Sequence, residues 1–433
     1  MIWNETMECM EREEMRKLQG IRLKRVVERV YHNTPFYRRK MQEMGLTPDD
    51  INTIDDIIKL PFTVKQDLRD NYPFDLMAVP MSEIVRLHAS SGTTGKPIVV
   101  GYTRKDLSVW NESVARCLYA VGVTNQDLVQ VSYGYGLFTG GLGLHGGVET
   151  IGGTVIPMSS GNTQKQIQLM HDFGAKALAC TPSYALFLGE TVRDSGLPRE
   201  EFKLKVGIFG AEPWTENMRR EIEDSLGIKA YDIYGLTEIA GPGVGGECEY
   251  QDGTHLWEDH FFPEIVDPKT LQPVEPGQQG ELVFTTITKE GMPMIRYRTR
   301  DLTSLNYEKC ACGRTAVRMS RILGRSDDML IIRGVNVFPS QVESVILELP
   351  EFEPHYLIVV DRVNNTDTFQ IQVEVRQEFY TDEMNKMLAL KKKITSRMQS
   401  VIGIQPDVKI VEPRSLERSM GKAKRVIDNR KLV

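Results

Sequence analysis

The chain carries a polar, glycine-rich loop, Ser90-Ser91-Gly92-Thr93-Thr94-Gly95-Lys96-Pro97. It lies between two runs that favour β-strands, Ile84–Leu87 and Ile98–Tyr102. Hydroxyl groups, backbone N–H groups that glycines allow to turn inward, and one lysine are the groups that bind a polyphosphate. A Walker A loop would need glycine at Ser90 and a hydroxyl group at Pro97, and it would lead into a helix. The pattern therefore predicts a phosphate-binding loop of another type, with a plain flexible turn as the alternative.

Strand patterns and helix patterns alternate after this loop. The strand patterns cover Leu128–Ser132, Ala177–Cys180, Val206–Phe209 and Ala230–Tyr234. Helical spacing of apolar residues separates them, at Asp106–Tyr119, Gln164–Phe173, Tyr184–Asp194 and Glu216–Ser225. Such alternation is typical of an α/β fold with mostly parallel sheets covered by helices. An amphipathic helix between Leu18 and Tyr31 opens the chain.

The pattern changes near Arg325–Asp328. Three short strand patterns and two helix patterns follow, and a last strand pattern covers Val408–Val411. This set predicts a small α+β domain. We therefore expect a large N-terminal domain over residues 1–325 and a C-terminal domain over residues 326–433.

Composition excludes several functional classes. The net charge of -6 argues against nucleic-acid binding, which needs a basic surface. No apolar run approaches the roughly 20 residues of a membrane span, and the N-terminus has no secretory signal pattern. Six cysteines in 433 residues favour a reducing, cytoplasmic location. The basic tail from Lys391 onward predicts either a solvated face or contact with phosphates.

Five motifs, in order along the chain, resemble those of the adenylate-forming superfamily, which includes acyl-CoA synthetases, peptide-synthetase adenylation domains and luciferases. They are the loop at residues 90–97, Tyr234-Gly235-Leu236-Thr237-Glu238, Tyr297-Arg298-Thr299-Arg300-Asp301, Gly324-Arg325-Ser326-Asp327-Asp328, and Gly421-Lys422 with Arg425.

Further segments look like those of phenylacetate–CoA ligases, a short-chain branch of that superfamily. They include Tyr133-Gly134-Tyr135-Gly136-Leu137-Phe138, Gly210-Ala211-Glu212-Pro213-Trp214 and Trp257-Glu258-Asp259. The resemblance implies an AMP-forming ligase that converts ATP, a small aryl carboxylic acid and coenzyme A into AMP, diphosphate and acyl-CoA through an acyl-adenylate. It also implies Mg²⁺, a homodimer, and a mobile C-terminal lid that rotates between the two half-reactions.

Other functions stay open at this point. Coenzyme F390 synthetases resemble the same branch and transfer the adenylyl group without making a thioester. A ligase for another aryl acid, such as indoleacetate or benzoate, is a second alternative. A non-catalytic nucleotide-binding regulator is a third, and the presence of Lys422 beside the phosphate-facing motifs disfavours it.

Lys422 is the predicted catalytic residue. A carboxylate that attacks the α-phosphate brings two anions together, so a cation held there stabilises the transition state more than the ground state. An exposed lysine in a basic tail is the alternative.

The resemblance assigns further ATP contacts. Glu238 would bind magnesium and Thr237 the α-phosphate, although both residue types also cap helices. Asp301 would accept the ribose hydroxyl groups, unless it pairs with Arg298 or Arg300. The remaining predicted ATP-binding residues are Ser90, Ser91, Gly92, Thr93, Thr94, Gly95, Lys96, Ala211, Glu212, Pro213, Asp232, Tyr234, Gly235 and Arg325.

Two further roles concern the acid and coenzyme A. Tyr133 and Phe138, with the glycines around them, suit a flat ring held close to the backbone, and core packing is the alternative. Asp327 resembles the hinge of the mobile lid. Gly334 would let the backbone approach the pantetheine chain of coenzyme A.

A metal site is the last prediction. Cys310 and Cys312 form a knuckle-like pair, and Cys248 and His255 lie upstream on another loop. Three thiolates and one imidazole would complete a tetrahedral structural Zn²⁺ site. Free buried cysteines are the alternative.

Overall fold

The structure is a computed structural model that describes residues 1–90, 97–333, 335–363, 366–381 and 383–430. Six residues of the predicted phosphate loop, Ser91, Gly92, Thr93, Thr94, Gly95 and Lys96, therefore lie outside the described residues, as does Gly334. The chain divides into two compact units. The first contains Met1–Cys180, Pro198–Ala211 and Ile228–Ile322, and the second contains Thr181–Leu197, Glu212–Gly227 and Leu323–Val433.

Helices and strands are numbered in chain order. Those of the first unit are α1 (Glu5–Glu8), α2 (Arg12–Asn33), α3 (Pro35–Glu43), α4 (Lys65–Asp70), β1 (Arg86–Ala89), β2 (Val99–Tyr102), α5 (Arg104–Ala120), β3 (Leu128–Val131), α6 (Thr139–Ile151), β4 (Thr154–Ile156), α7 (Thr163–Phe173), β5 (Ala177–Cys180), β6 (Val206–Gly210), β7 (Lys229–Leu236), β8 (Gly241–Gly246), β9 (Thr254–Leu256), β10 (Phe261–Val266), β11 (Gly280–Thr286), β12 (Tyr297–Thr303), β13 (Leu305–Asn306) and β14 (Arg318–Met319).

The second unit contains α8 (Pro182–Ser195), α9 (Glu216–Leu226), β15 (Gly324–Arg325), β16 (Leu330–Ile332), β17 (Val335–Val337), α10 (Pro339–Leu347), β18 (Phe352–Val363), β19 (Thr366–Val375), α11 (Met384–Ile402), β20 (Asp407–Val411) and β21 (Val426–Asp428). This division differs from one boundary near residue 325, because it assigns α8 and α9 to the second unit. The domains 1–325 and 326–433 stay a prediction.

A nine-stranded sheet organises the described part of the first unit, in the order β13-β14-β9-β8-β7-β6-β5-β3-β4. Strands β4, β3, β5, β6 and β7 are parallel, and β7, β8, β9, β14 and β13 pair antiparallel. Strands β3, β5, β6 and β7 match the predicted strand patterns, whereas the short strand β4 was not predicted. Strand β7 is the last parallel strand, and ligands collect beyond the carboxyl ends of such strands where the strand order changes.

Most predicted elements have the expected type. Strands β1 and β2, which flank the predicted phosphate loop, pair antiparallel, so this loop joins two strands as expected. Thr215 caps α9, because its side chain accepts the Met218 N–H. Strands β18 to β21 form one sheet in the order β20-β19-β18-β21, and its apolar residues form a core that also contains Val345 of α10 and Ile394 of α11.

Helix α6 was not predicted, because five of its thirteen residues are glycines, which are poor helix formers. The reason for these glycines is close packing. A Cβ atom at Gly143 would lie 2.6 Å from the Trp110 ring, and one at Gly147 would lie 2.3 Å from Val114 Cγ1. Trp110 and Val114 belong to α5, so the glycines let the two helices approach each other closely.

None of the helices in the described part of the chain has the length and apolar composition that crossing a bilayer requires.

We expect Gly147→Ala to lower the free energy of unfolding by about 1–3 kcal/mol, because the new methyl group overpacks against the buried, β-branched Val114. Alanine is the better helix former, so local propensity alone would change stability in the opposite direction. Urea denaturation measures the difference. Gly134→Ala is the control, since its Cβ would meet its nearest neighbour at 3.7 Å. Equal or higher stability of Gly147→Ala would contradict the packing argument.

Candidate active site and candidate metal site

The carboxyl end of β7 carries the motif Tyr234 to Glu238. The Tyr234 hydroxyl group donates a hydrogen bond to Asp301 Oδ2 at 2.7 Å, and both side chains are buried. Arg298, in contrast, forms two hydrogen bonds with Glu281, at 2.9 and 2.8 Å. Two residues predicted to contact the nucleoside are therefore joined by a direct hydrogen bond.

Gly235 lies where β7 and β8 approach each other most closely. A Cβ atom at this position would lie 1.9 Å from the carbonyl oxygen of Gly241, so no other residue fits. The register of the two strands also shifts between Tyr234 and Gly235. The next turn follows directly and places Thr237 and Glu238 in buried positions, with 6% and 7% of their surface exposed.

A cavity of about 110 Å³ lies in the first unit beside this turn. Five predicted site residues line it: Tyr133, Phe138, Ala211, Gly235 and Thr237. Sequence reasoning missed Ile233, Leu236 and Pro242, which also line the cavity and whose local pattern gives no signal beyond that of a buried strand. None of the lining side chains is charged. The cavity suits a small apolar group.

Local contacts place two of these lining residues. The Tyr133 hydroxyl group donates to the carbonyl oxygen of Gly210 at 3.3 Å, at the end of β6. Ala211 follows β6 with a left-handed backbone (φ 74°). Such a conformation is uncommon for a residue with a side chain, and strained residues of this kind occur at turns and at functional sites.

Two further predicted ATP contacts, Ser90 and Asp232, belong to the first unit. Ser90 follows β1, and its N–H group donates to the Ile98 carbonyl oxygen at 2.9 Å. Asp232 lies within β7, where its N–H group donates to Glu247 Oε2 at 2.8 Å.

A second cavity, of about 420 Å³, lies in the second unit. It brings together predicted residues that are far apart in the sequence: Glu212, Pro213, Arg325, Asp327 and Lys422. Arg325 binds Asp327 through two hydrogen bonds of 2.9 Å each. Asp327 is exposed, so this pair contributes little to stability.

The backbone on either side of Lys422 is held by hydrogen bonds. Glu212 accepts the Ala423 N–H at 2.8 Å with one carboxylate oxygen, and the Ser183 N–H at 2.7 Å with the other. The Thr181 hydroxyl group donates to the Gly421 carbonyl oxygen at 3.0 Å. The Lys422 side chain therefore starts from a fixed point of the cavity wall.

A buried carboxyl group, which sequence reasoning missed, also lines this cavity. Glu343 is 4% exposed, and the Tyr356 hydroxyl group donates to its Oε2 at 3.3 Å. Burial raises the pKa of Glu343, and nearby Arg425 opposes that shift. The Arg425 guanidinium lies 3.8 Å from Glu343 Oε2 and 4.6 Å from the centre of the Tyr356 ring. Arg425 of the G-K-x-x-R motif is thus fixed three residues after Lys422.

The four predicted metal ligands come together in the first unit. Their donor atoms, one each from Cys248, His255, Cys310 and Cys312, all lie within 4.8 Å of one another. The Cys248 and Cys310 sulfur atoms are 3.9 Å apart, and Cys312 Sγ lies 3.5 Å from His255 Nε2. In a tetrahedral zinc site with bonds of about 2.0–2.3 Å, ligand atoms stand roughly 3.5–4 Å apart. The donor set therefore fits one tetrahedral ion.

The surroundings of the cluster favour a thiolate at Cys312. Hydrogen bonds from Cys248, His255 and Arg314 lower the pKa of Cys312, and the same contact raises the pKa of Cys248. The Nδ1 atom of His255 lies 3.4 Å from the Ala316 carbonyl oxygen, which favours the tautomer that leaves Nε2 for a metal.

The same loop holds the N-terminal segment. Arg314 pairs with Glu8 at 2.6 Å, and both side chains are fully buried. Arg314 also donates to Cys312 Sγ at 3.4 Å, and the Thr315 N–H donates to the Glu8 carbonyl oxygen at 3.1 Å. The Cys/His cluster and helix α1 are therefore parts of one hydrogen-bonded assembly.

Two protein families match the chain. Residues 22–288 match the AMP-binding enzyme family, and residues 334–430 match the AMP-binding enzyme C-terminal domain.

Relatives and solved structures agree with this match. The phenylacetate-coenzyme A ligase of Escherichia coli K12 is 52% identical over 97% of this chain and 96% of its own, and that of Thermus thermophilus is 50% identical over 100% of both. A crystal structure of 2-hydroxyisobutyryl-CoA ligase, in the postadenylation state with its acyl-adenylate, aligns with a TM-score of 0.93 at 31% identity, over 98% of this chain and 92% of that one. The chain therefore belongs to the AMP-binding enzyme family, on its phenylacetate–CoA ligase branch.

Proposed function

We propose that the chain is an AMP-forming phenylacetate:CoA ligase. ATP and phenylacetate form phenylacetyl-AMP and diphosphate, and coenzyme A then displaces AMP to give phenylacetyl-CoA. The observation that carries this proposal is the identity of about 50% with phenylacetate-coenzyme A ligases over almost the whole chain. The uncharged cavity beside Thr237 supports it as well.

In the first half-reaction, a carboxylate oxygen forms a bond to the α-phosphorus and the bond to diphosphate breaks. Negative charge builds on the α-phosphate oxygens, and Lys422 supplies the compensating cation. Glu238 would hold Mg²⁺, which favours a few carboxylate ligands together with phosphate oxygens and would offset the charge of the triphosphate. Thr237 contacts the α-phosphate. The buried position of both residues supports these roles.

The nucleoside contacts follow from the same proposal. Asp301 accepts the ribose hydroxyl groups, and its hydrogen bond to Tyr234 supports a fixed orientation of the carboxylate. Ala211, Glu212, Pro213 and Tyr234 frame the adenine. The remaining ATP contacts stay predictions: the phosphate-loop residues from Ser90 to Lys96, and Asp232, Gly235 and Arg325.

In the second half-reaction, the coenzyme A sulfur attacks the acyl carbonyl carbon, the thiol proton is lost, and AMP leaves with the carboxylate oxygen. A site that first holds ATP and then admits a thiol needs a conformational step. We propose that a C-terminal lid rotates between the two steps with Asp327 as its hinge and Gly334 near the pantetheine chain. The exposed position of Asp327 supports the hinge role.

We further propose that the protein acts in the cytoplasm as a homodimer. No disulfide bond joins any of the six cysteines, all of which lie in the described part of the chain, and this supports a reducing compartment. The proposal of a dimer rests on the resemblance to the short-chain ligases of the phenylacetate–CoA ligase branch.

The acid cavity leads to a specificity prediction. The cavity beside Thr237, about 110 Å³, is smaller than a cavity of about 150 Å³ that binds benzene, so we expect it to hold one six-membered ring more readily than the two rings of indole. We expect kcat/KM for phenylacetate to exceed that for indole-3-acetate by roughly 10–200-fold. The rate of coenzyme A-dependent AMP release gives kcat/KM for each acid. The same assay separates the ligase from an adenylyltransferase, which does not depend on coenzyme A.

Ile233→Ala tests the cavity directly, because it enlarges the cavity without adding a polar group. We expect it to lower the ratio of kcat/KM for phenylacetate to kcat/KM for indole-3-acetate. An unchanged ratio would show that the acid ring binds elsewhere. Release of diphosphate without free AMP would favour the adenylyltransferase, because that enzyme leaves the adenylyl group on its acceptor.

Lys422→Ala tests the catalytic role. We expect this variant to reduce phenylacetate-dependent exchange of diphosphate into ATP by at least about 100-fold, because the developing phosphate charge loses its cation. Authentic phenylacetyl-AMP should still react with coenzyme A. Lys424→Ala, two residues away, is the control. Exchange at the wild-type rate in Lys422→Ala would exclude the role.

We propose a structural Zn²⁺ ion at Cys248, His255, Cys310 and Cys312. The mutual distances of the donor atoms and the His255–Ala316 contact support it. Such an ion neutralises thiolates and holds loops together. Its role here would be to fix the loop that binds helix α1, without a part in the chemistry.

Metal analysis of the purified protein should give about one zinc per chain, and Cys312→Ser should hold less than about 0.2 equivalents. Cys180→Ser, a buried thiol outside the cluster, should keep the metal. We expect chelation to accelerate proteolysis within residues 1–12, because the Arg314–Glu8 contact loses its support. Zinc below about 0.2 equivalents in the wild-type protein would exclude the site.

A further inference from the structure

Lys289 is a buried lysine to which the proposed mechanism assigns no role. Its side chain is 7% exposed, and it lies beside the turn that follows β7. The ammonium group donates to the Ile239 carbonyl oxygen at 2.7 Å and lies 3.4 Å from the Glu238 carbonyl oxygen. It therefore binds the backbone of the residue proposed to hold magnesium.

Tyr102 contacts the same turn as Lys289. Its hydroxyl group donates to the Ala240 carbonyl oxygen at 3.1 Å and lies 3.5 Å from that of Thr237. The Lys289 ammonium group lies 4.8 Å from the centre of the Tyr102 ring, within the range of a cation–π interaction. Two side chains thus serve four consecutive carbonyl groups, from Thr237 to Ala240.

These contacts fix the backbone of the turn. The Ile239 and Ala240 N–H groups both donate to the Leu236 carbonyl oxygen, at 3.1 Å each. Because the four carbonyl groups and the Ile239 and Ala240 N–H groups are engaged, the peptide planes of the turn have little freedom. The Cα–Cβ directions of Thr237 and Glu238 are fixed as a result.

The charge of Lys289 is costly to bury, and neighbouring groups only partly offset that cost. Burial lowers the pKa of Lys289 to about 8, and the charges of Asp106 and Glu238 oppose the shift. Asp106 accepts the N–H groups of the two residues that follow Lys289, namely Glu290 at 2.7 Å and Gly291 at 2.8 Å. The chain therefore holds the lysine backbone in place as well.

We propose that Lys289 is a positioning residue for adenylation, which holds the Thr237–Glu238 turn in the conformation that binds the magnesium–triphosphate group. This inference rests on the proposed role of Glu238 and extends it to a residue that does not touch the substrate. It acts through the Glu238 and Ile239 carbonyl groups.

A purely structural role and a positioning role differ in what they change. A lysine that only fills space would, when replaced, lower stability and slow both half-reactions alike. A lysine that positions Glu238 acts on the half-reaction that needs magnesium and triphosphate. Transfer from preformed phenylacetyl-AMP to coenzyme A needs neither, so it should be spared.

The test uses Lys289→Met, which keeps the length of the stem and removes the charge and the donors. We expect its KM for magnesium–ATP in diphosphate exchange to rise at least about tenfold, with a higher magnesium requirement, while thioester formation from phenylacetyl-AMP stays within about twofold of wild type. Lys289→Arg should recover part of the exchange activity. Lys105→Met is the control, because Lys105 is exposed and pairs with Glu290 at 2.9 Å.

Tyr102→Phe is the second variant, in case Lys289→Met does not fold. It keeps the aromatic ring and removes the donor to Ala240, so we expect a smaller rise in KM for magnesium–ATP with thioester formation spared. Equal losses in both half-reactions, or unchanged exchange kinetics in the folded variants, would overturn the proposal. A wild-type protein that forms no phenylacetyl-AMP would instead refute the proposed function.

Discussion

The carboxyl end of β7 imposes the constraint on which the candidate site depends. Here the parallel half of the sheet ends, and β8 returns antiparallel with its backbone so close that Gly235 can carry no side chain. The chain then turns sharply, and the carbonyl groups of the turn face buried donors. Because this backbone has so little freedom, the residues on both sides of Gly235 are held at defined positions, from the Tyr234–Asp301 pair to the Thr237–Glu238 pair.

Close backbone approach recurs around this point and has one physical origin. Trp110 packs against Gly143 of α6 and Gly241 of β8, and its indole N–H donates to the Pro242 carbonyl oxygen at 2.8 Å. Tyr102 stacks on Trp110 with ring centres 5.1 Å apart. Glycines on α6 and β8 give these large rings room, and the rings in turn support the turn after β7 and the small cavity beside it. In the second unit, a hydrogen bond fixes the predicted catalytic segment: Glu212 accepts the N–H group of Ala423, the residue after Lys422.

Local sequence patterns could predict the parallel strands, because each is a short apolar run and helical spacing separates them. They could also predict that Cys248, His255, Cys310 and Cys312 come together, since these residues share a chemistry that is informative without knowledge of their distance. Helix α6 could not be predicted, because its glycines serve packing against α5 and violate local propensity. Lys289 and Glu343 gave no signal, since an isolated charged residue in a sequence looks like a surface residue until its neighbours are known.

The central claim is that a carboxylate oxygen of the acid becomes bonded to phosphorus. Phenylacetate labelled with ¹⁸O at both carboxylate oxygens tests this claim directly when it reacts with ATP, Mg²⁺ and coenzyme A, and mass spectrometry reads the products. An acyl-adenylate pathway transfers one labelled oxygen to AMP and leaves the other in the thioester carbonyl group. Unlabelled AMP beside phenylacetyl-CoA would contradict this account.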